Sequence, residues 1–342
     1  MFRRKTLFVV GAGASREVNF PDSRTLADIV GAMLSSVSAT VAGVTDAEFL
    51  LHQLFKAYPS SNAKHRQAAQ RIRAGIGLAN SIDDFLDTYS NDEAFQRVGK
   101  IALVRAILES ESGSKLWYDQ NQTGARFNLD KVTDTWFVKF FRMLVRNASA
   151  PDYKDVFKNV SFIVFNYDRC LEFFLLHALQ LFFGLSHNDA AAIVTKLEIT
   201  HPYGMVAPLL FVGPNGNRGI PFGGQQDYDY VPLVENIKTY TEQTKDPKLL
   251  DRMHAQVREA ECIVFLGFGF HRPNMELLRP TQRCEDPQFV YATADGMSDP
   301  RVNQISVTLQ HTCNPAGDLR VENSLKCAQL FDHFGPLLTG GD

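Results

Sequence analysis

The sequence predicts an α/β fold: a Rossmann-like, doubly wound, mainly parallel sheet with a large inserted helical subdomain. Three observations predict it. Short apolar runs alternate with helical patterns along the 342 residues, as expected for parallel strands joined by crossover helices. The first run feeds directly into a glycine turn, Gly11-Ala12-Gly13. Residues 41–154, between the first and second runs, read mainly as helix and are too long for a crossover, so they form an insertion into a sheet domain made of residues 1–40 and 155–342.

The opening strand, Thr6 to Val10, runs into Gly11-Ala12-Gly13-Ala14-Ser15. Glycine takes positive φ and lets backbone approach a ligand, and a turn that opens a helix aims N–H groups and a partial positive charge at a pyrophosphate. A dinucleotide is therefore the default ligand, with an unliganded strand-to-helix turn as the bland alternative. A G-x-G-x-x-G fingerprint would place glycine where Arg16 stands, which counts against hydride transfer.

The insertion reads as helices over Asp46 to Tyr58, Ala63 to Ala74, Ile82 to Tyr89, Glu93 to Ser110 and Thr133 to Asn147, with Glu111-Ser112-Gly113-Ser114 as a loop within it. Further strands are predicted at Ser161 to Phe165, Leu209 to Val212, Cys262 to Leu266 and Gln288 to Ala292, with a last one at Ile305 to Leu309. Several are continuous apolar runs, as in strands covered on both faces. Arg169 to Phe183 and Pro247 to Ala260 carry helical patterns between them.

Hydrophobic residues make up 45% and charged residues 21%, with a mean hydropathy of -0.15, and no apolar run reaches the about 18 residues of a membrane span. The richest stretch, Cys170 to Leu185, is broken by Glu172, His177 and Gln180. Met1 to Lys5 is not followed by a signal-peptide pattern, so a cytoplasmic protein without a membrane partner is expected. A net charge of -3 gives no global attraction to nucleic acid, and direct nucleic-acid binding is not expected. The five cysteines, Cys170, Cys262, Cys284, Cys313 and Cys327, contain no C-x-x-C pair, so no zinc site is expected, and Cys170 and Cys262 read as buried apolar residues.

Four segments carry candidate chemistry. Phe165-Asn166-Tyr167-Asp168 follows a strand; Asn166 interrupts the apolar run, and Asp168 reads either as a site carboxylate or as a cap on the helix beginning near Cys170. In Thr200-His201-Pro202-Tyr203-Gly204, the histidine is a general base or a structural residue. Gly267-Phe268-Gly269 ends a strand with little side-chain bulk, enough to admit a ribose or simply to turn. The fourth segment is Pro21-Asp22-Ser23-Arg24.

Together these segments resemble the sirtuins, which carry G-A-G-x-S followed at a fixed spacing by P-D-F-R. Gly11-Ala12-Gly13-x-Ser15 and Pro21-Asp22-x-Arg24 stand at that spacing; Asn166 to Asp168 resembles the family's T-Q-N-I-D, His201 to Gly204 its H-G pair, and Gly267 to Gly269 its later glycine turn. The resemblance spans most of residues 1–40 and 160–295. The departures are the missing four-cysteine zinc module, Phe165 in place of glutamine, Pro202-Tyr203 between His and Gly, and Ser23 in place of the aromatic. These resemble the sirtuin-like NAD+ hydrolases of prokaryotic antiviral defence, with N-Y-D followed by an acidic residue, here Glu172; Arg272-Pro273-Asn274 is similar to that branch as well. Ser81-Ile82-Asp83-Asp84-Phe85-Leu86 resembles an acidic helix start found there, and reads equally as an N-cap with first-turn carboxylates.

The resemblance implies NAD as substrate and cleavage of its nicotinamide–ribose bond. Gly11, Ala12, Gly13 and Ser15 would hold the pyrophosphate, helped by Pro21, Asp22 and Arg24. Gly267, Phe268 and Gly269 would approach the adenosine ribose, Asn166 would orient water and ribose hydroxyls, His201 would be the general base, and Asp168 would support the nicotinamide end. It further implies a homo-oligomer gated by a partner, with a HerA-type ATPase or a short Argonaute as candidates. A sirtuin-type protein deacylase, a non-catalytic NAD or ADP-ribose sensor and a dehydrogenase remain as alternatives.

Overall fold

The computed structural model describes residues 2–35, 40–41, 44–120, 122–146, 150–210, 219–224, 228–243, 246–282 and 284–340. Six strands form one sheet: β1 (Thr6–Val10), β2 (Val160–Val164), β3 (Glu198–Thr200), β4 (Cys262–Leu266), β5 (Phe289–Thr293) and β6 (Asp318–Glu322). Every pairing is parallel, and the spatial order is 3-2-1-4-5-6, which is the doubly wound arrangement. β1 lies centrally, with Thr6 opposite Val160 and Cys262, and Val10 opposite Val164 and Leu266. All residues of β1 and β4 are buried, so both faces of the sheet centre are covered, as their unbroken apolar sequence predicts.

Fourteen α-helical segments are described: α1 (Ala12–Ser15), α2 (Ser23–Met33), α3 (Asp46–Ala57), α4 (Asn62–Gly75), α5 (Ile82–Thr88), α6 (Glu93–Ser112), α7 (Trp136–Leu144), α8 (Cys170–Phe183), α9 (His187–Val194), α10 (Tyr240–Gln243), α11 (Pro247–Glu259), α12 (Arg272–Leu278), α13 (Asp299–Thr312) and α14 (Cys327–Thr339). Their starts follow local capping chemistry. Thr45 and Glu48 form a capping box on α3, Asp92 accepts from Phe95 N at α6, and Ser81 accepts from Asp84 N at α5. The bland reading of Ser81 is therefore correct. Residues 41–154 supply α3 to α7, together with a two-residue antiparallel pair, Thr40–Val41 with Val44–Thr45, that begins one residue before them.

α7 packs on α14, and the two cover β1 through aromatic rings. Phe8 meets Phe140 at 5.2 Å, Phe162 at 5.1 Å and Phe331 at 6.1 Å between centroids. Such a fully buried ring contributes about 1.5–3 kcal/mol by area alone. The opening turn is tied to the same helices: Trp136 Nε1 donates to Ala14 O at 3.0 Å, and Glu17 accepts from the backbone N–H of Trp136 at 2.7 Å and of Ala328 at 2.8 Å. One carboxylate thus meets the unpaired N–H groups at the starts of two helices. Burial pushes the Glu17 carboxyl up, against the lowering effect of those donors.

Three expectations fail locally. Ile305 to Leu309 lies within α13, where Ile305 and Leu309, four residues apart, face inward and Val307 is exposed; the spacing is helical. The last strand is instead Asp318–Glu322, a half-buried sheet edge whose polar residues hide it. Of Leu209 to Val212, Leu209 makes an isolated bridge with Ile220, while Phe211 and Val212 lie outside the described residues, as does Asn147. Glu111-Ser112 belongs to the end of α6, and Glu111 is buried. All five cysteines are buried and free. Among the described residues no helix is long and apolar enough to cross a membrane, and no three His, Cys, Asp or Glu side chains are grouped to hold a metal ion.

Candidate active site

β1 pairs with β2 on one side and β4 on the other, and the chain reverses its winding at β1. Ligands of such sheets bind beyond the carboxyl ends of the strands at this switch point. A cleft of about 310 Å³ lies there. Its floor comes from three strand ends: Gly11 to Gly13 after β1, Phe165 and Asn166 after β2, and Gly267 to Gly269 after β4. The same cleft is lined by Asp83, Asp84 and Asp87 of α5 and by Asp22 and Arg24 at the start of α2. A recess of about 40 Å³ shares Ala12, Ser23, Asp83, Phe165 and Asn166 with the cleft and adds Pro21 and Asp168.

The glycines of the two turns also pack on each other. Gly13 N donates to Gly267 O at 2.9 Å, Gly11 N to Leu266 O at 3.0 Å and Ala14 N to Gly11 O at 3.0 Å, so these N–H groups are committed to main-chain carbonyls. A Cβ on Gly13 would stand 2.8 Å from Gly267 O, and one on Gly267, whose φ is 54°, would stand 2.0 Å from Ala14 N. Backbone approaches backbone here, joining the β1 and β4 loops. The following α1 is four residues long and runs into a 3-10 turn at Arg16–Val18. The turn lines the cleft through Gly11, Ala12 and Gly13.

Ser15 is withdrawn from the cleft. Its buried hydroxyl donates to Asp168 Oδ2 at 3.1 Å and accepts from Asn166 Nδ2, also at 3.1 Å, while Asn166 Nδ2 donates to Gly11 O at 3.2 Å. Asn166 is therefore clamped through its amide nitrogen, which leaves Oδ1 as the atom outside these bonds. Asp168 Oδ1 accepts from Cys170 N at 3.0 Å, so the capping role holds, and burial pushes its carboxyl up. It reaches the recess rather than the cleft. Asp22 N-caps α2, accepting from Thr25 N at 2.9 Å and Thr25 Oγ1 at 2.8 Å; burial acts to raise it, but these donors hold it below the ordinary range. Arg24 lines the cleft with its guanidinium strapped to Ala79 O at 2.7 Å and Gly77 O at 3.0 Å.

His201 stands behind the cleft. Its Nδ1 lies 3.2 Å from Asn166 O and its Nε2 2.8 Å from Glu172 Oε1, so both ring nitrogens face acceptors. Burial disfavours the imidazolium, yet the Glu172 carboxylate outweighs it and raises the His201 pKa. In this arrangement His201 contacts the main chain at Asn166 and the Glu172 carboxylate and does not line the cleft.

Asp83 was not singled out as a site residue by the sequence, although its acidic helix start was visible. It accepts a hydrogen bond from the Tyr167 hydroxyl, and burial pushes its carboxyl up to about 6. Tyr240 also lines the cleft and had no sequence signal, and Tyr203 lines it while donating to Asn274 Oδ1.

No protein-family model matches the chain, and no curated protein does. Among solved structures it is similar to one described as a crystal structure of a Sir2 homolog–NAD complex, at 13% identity and a TM-score of 0.40, over 98% of this chain and 91% of that chain.

Proposed function

We propose that the chain is an NAD+ hydrolase that cleaves the nicotinamide–ribose bond to give nicotinamide and ADP-ribose. The observation that carries the reading is the cleft itself: Asn166 on a glycine floor at the switch point, opposite a wall of Asp83, Asp84 and Asp87. NAD+ carries its positive charge on the pyridinium ring, and scission moves positive charge onto the ribose. Carboxylates fixed beside that charge stabilise the transition state electrostatically. A hydride-transfer site has no such requirement. The motif order around Gly11, Pro21, Asn166 and Gly267 supports the same substrate.

In this mechanism Gly11 to Gly13 and Gly267 to Gly269 form the surface against which the dinucleotide backbone lies. Asn166 Oδ1 accepts from the attacking water or a ribose hydroxyl, and its amide nitrogen stays fixed by Gly11 O and Ser15 Oγ. His201 is a positioning residue that acts through the Asn166 carbonyl. Unrestrained hydrolysis of NAD+ would be toxic, so the activity is gated, and the resemblance favours an antiphage effector assembled with itself and with a HerA-type ATPase or short Argonaute.

The test is incubation with NAD+, alone and with the protein encoded beside it, followed by chromatography. Release of nicotinamide and ADP-ribose, abolished in Asn166→Ala, is expected. Formation of O-acetyl-ADP-ribose from an acetylated peptide would make the protein a deacylase, and nucleotide binding without nicotinamide release would make it a sensor. Gel filtration of the isolated chain measures the self-assembly.

A further inference from the structure

The acidic wall of the cleft contains one carboxylate that is tied to the loop bearing Asn166. Asp83, half-buried in the first turn of α5, lines both the cleft and the recess, as Asn166 does. Its Oδ1 accepts from the hydroxyl of Tyr167, the residue after Asn166, and that hydroxyl also lies 3.4 Å from Lys238 O. The other carboxylates nearby have different engagements. Asp87 Oδ1 accepts from Thr241 N at 3.0 Å, Asp22 caps α2, and Asp168 is bonded to Ser15 and Cys170. Asp84 carries no such link to the loop and is exposed.

Resting on the hydrolase reading above, we infer that Asp83 is the general base that takes a proton from the attacking water. The C1′–N bond breaks with its electron pair passing to the pyridinium nitrogen, which leaves neutral nicotinamide. The water oxygen bonds to C1′, its proton passes to the Asp83 carboxylate, and solvent takes that proton after product forms. Tyr167 engages only Oδ1, so it fixes the carboxylate without consuming it. Burial favours this use, because a carboxyl raised to about 6 is a stronger base than an ordinary aspartate and remains ionised at neutral pH. The titratable or charged groups around it are Tyr167, bonded to it, Asp84 and Asp87 on its own helix, and, lining the same cleft, Tyr203 after β3, Tyr240 at the start of α10, His271 beside α12, and Asp22 with Arg24 at the start of α2.

The experiment follows nicotinamide release against pH for the wild-type chain, Asp83→Asn and Tyr167→Phe, with ADP-ribose binding by calorimetry on each. Asparagine keeps an acceptor for Tyr167, so the loop stays in place. The wild-type rate is expected to fall on the acid side of about pH 6. Asp83→Asn should lose about 10²–10⁴-fold at neutral pH together with the acid limb, while binding ADP-ribose within about threefold of wild type. Tyr167→Phe removes a donor that favours the carboxylate and should shift the acid limb to higher pH. An Asp83→Asn variant that keeps the wild-type rate and limb, or that loses ADP-ribose binding in proportion to rate, overturns the role of Asp83 alone. A wild-type chain that releases no nicotinamide under any of the partner conditions overturns the hydrolase reading itself.

Discussion

Two buried charge pairs flank the loop that carries Asn166, and they are built in opposite ways. Arg169 and Glu111 are both 0% exposed. Arg169 Nε donates to Glu111 Oε1 at 2.9 Å, its Nη atoms reach Ile220 O at 2.8 Å and Pro221 O at 3.1 Å, and Glu111 Oε2 also accepts from Gly223 N at 2.9 Å. This bidentate pair fastens the end of α6, the β2–α8 loop and the 219–224 segment together. On the other side, His201 and Glu172 share a single bond at 2.8 Å, and Glu172 Oε2 is buried with no partner among the described residues. The first pair is bidentate, and the main-chain carbonyls of Ile220 and Pro221 hold its guanidinium as well. The second rests on one bond to an imidazole whose pKa the Glu172 carboxylate raises, so one side of the loop is held by many bonds and the other by few.

The largest effect should come from breaking the fixed side. Glu111→Ala leaves a buried guanidinium that cannot neutralise itself, and should cost about 3–5 kcal/mol in urea denaturation. Replacing both partners by apolar residues, Glu111→Leu with Arg169→Met, should recover most of that loss, because the penalty lies in the orphaned charge. A single variant within about 1 kcal/mol of wild type would mean that water reaches Arg169 and that the contrast between the two sides is false.

Only part of this arrangement was legible in the sequence. β1 and β4 match their apolar runs because strands covered on both faces carry a strong local signal, whereas the edge strand Asp318–Glu322 carries almost none. At the site, Asn166 and the glycine turns were visible because they interrupt or end apolar strands. Arg169 with Glu111 was not, since the partners are 58 residues apart and neither periodicity nor composition records a pairing made by tertiary packing. Glu111 even sat in a stretch that read as a loop. His201 is partly legible for a similar reason: its position at a strand end can be read, but the ring's direction depends on Glu172 from another element. The packing of the glycine turn against the β4 loop was not legible, as the residue that tolerates close approach by a phosphate tolerates close approach by another loop just as well.

A smaller effect is expected on the responsive side. His201→Ala removes the partner of Glu172 and the group at Asn166 O, but it breaks one bond to Glu172, where Glu111→Ala strips a bidentate partner from Arg169. The cost should be about 1–3 kcal/mol, with a fall in nicotinamide release as Asn166 loses its brace. Urea midpoints measured beside those of Glu111→Ala rank the two sides directly. A loss equal to that of Glu111→Ala would erase the distinction drawn between them.

The smallest effect is also the most specific, because it depends on the direction of one titration. Glu172 raises the His201 pKa in the folded state above its unfolded value of about 6.5. A histidine raised in this way contributes stability that is fully present below the unfolded pKa and disappears as pH rises through the folded one. Glu172→Gln keeps an acceptor of similar shape but removes the charge, so burial then works against the imidazolium without opposition. The stability gap between wild type and Glu172→Gln should be greatest near pH 6 and close as pH rises beyond the folded His201 pKa, while the gap for Glu111→Ala stays level over the same range. Thermal or urea unfolding of the three proteins between pH 6 and pH 9 decides it. A Glu172→Gln gap that stays level would mean that His201 is neutral and merely packed there, and its hold on Asn166 would be as insensitive to pH as the arginine pair across the loop.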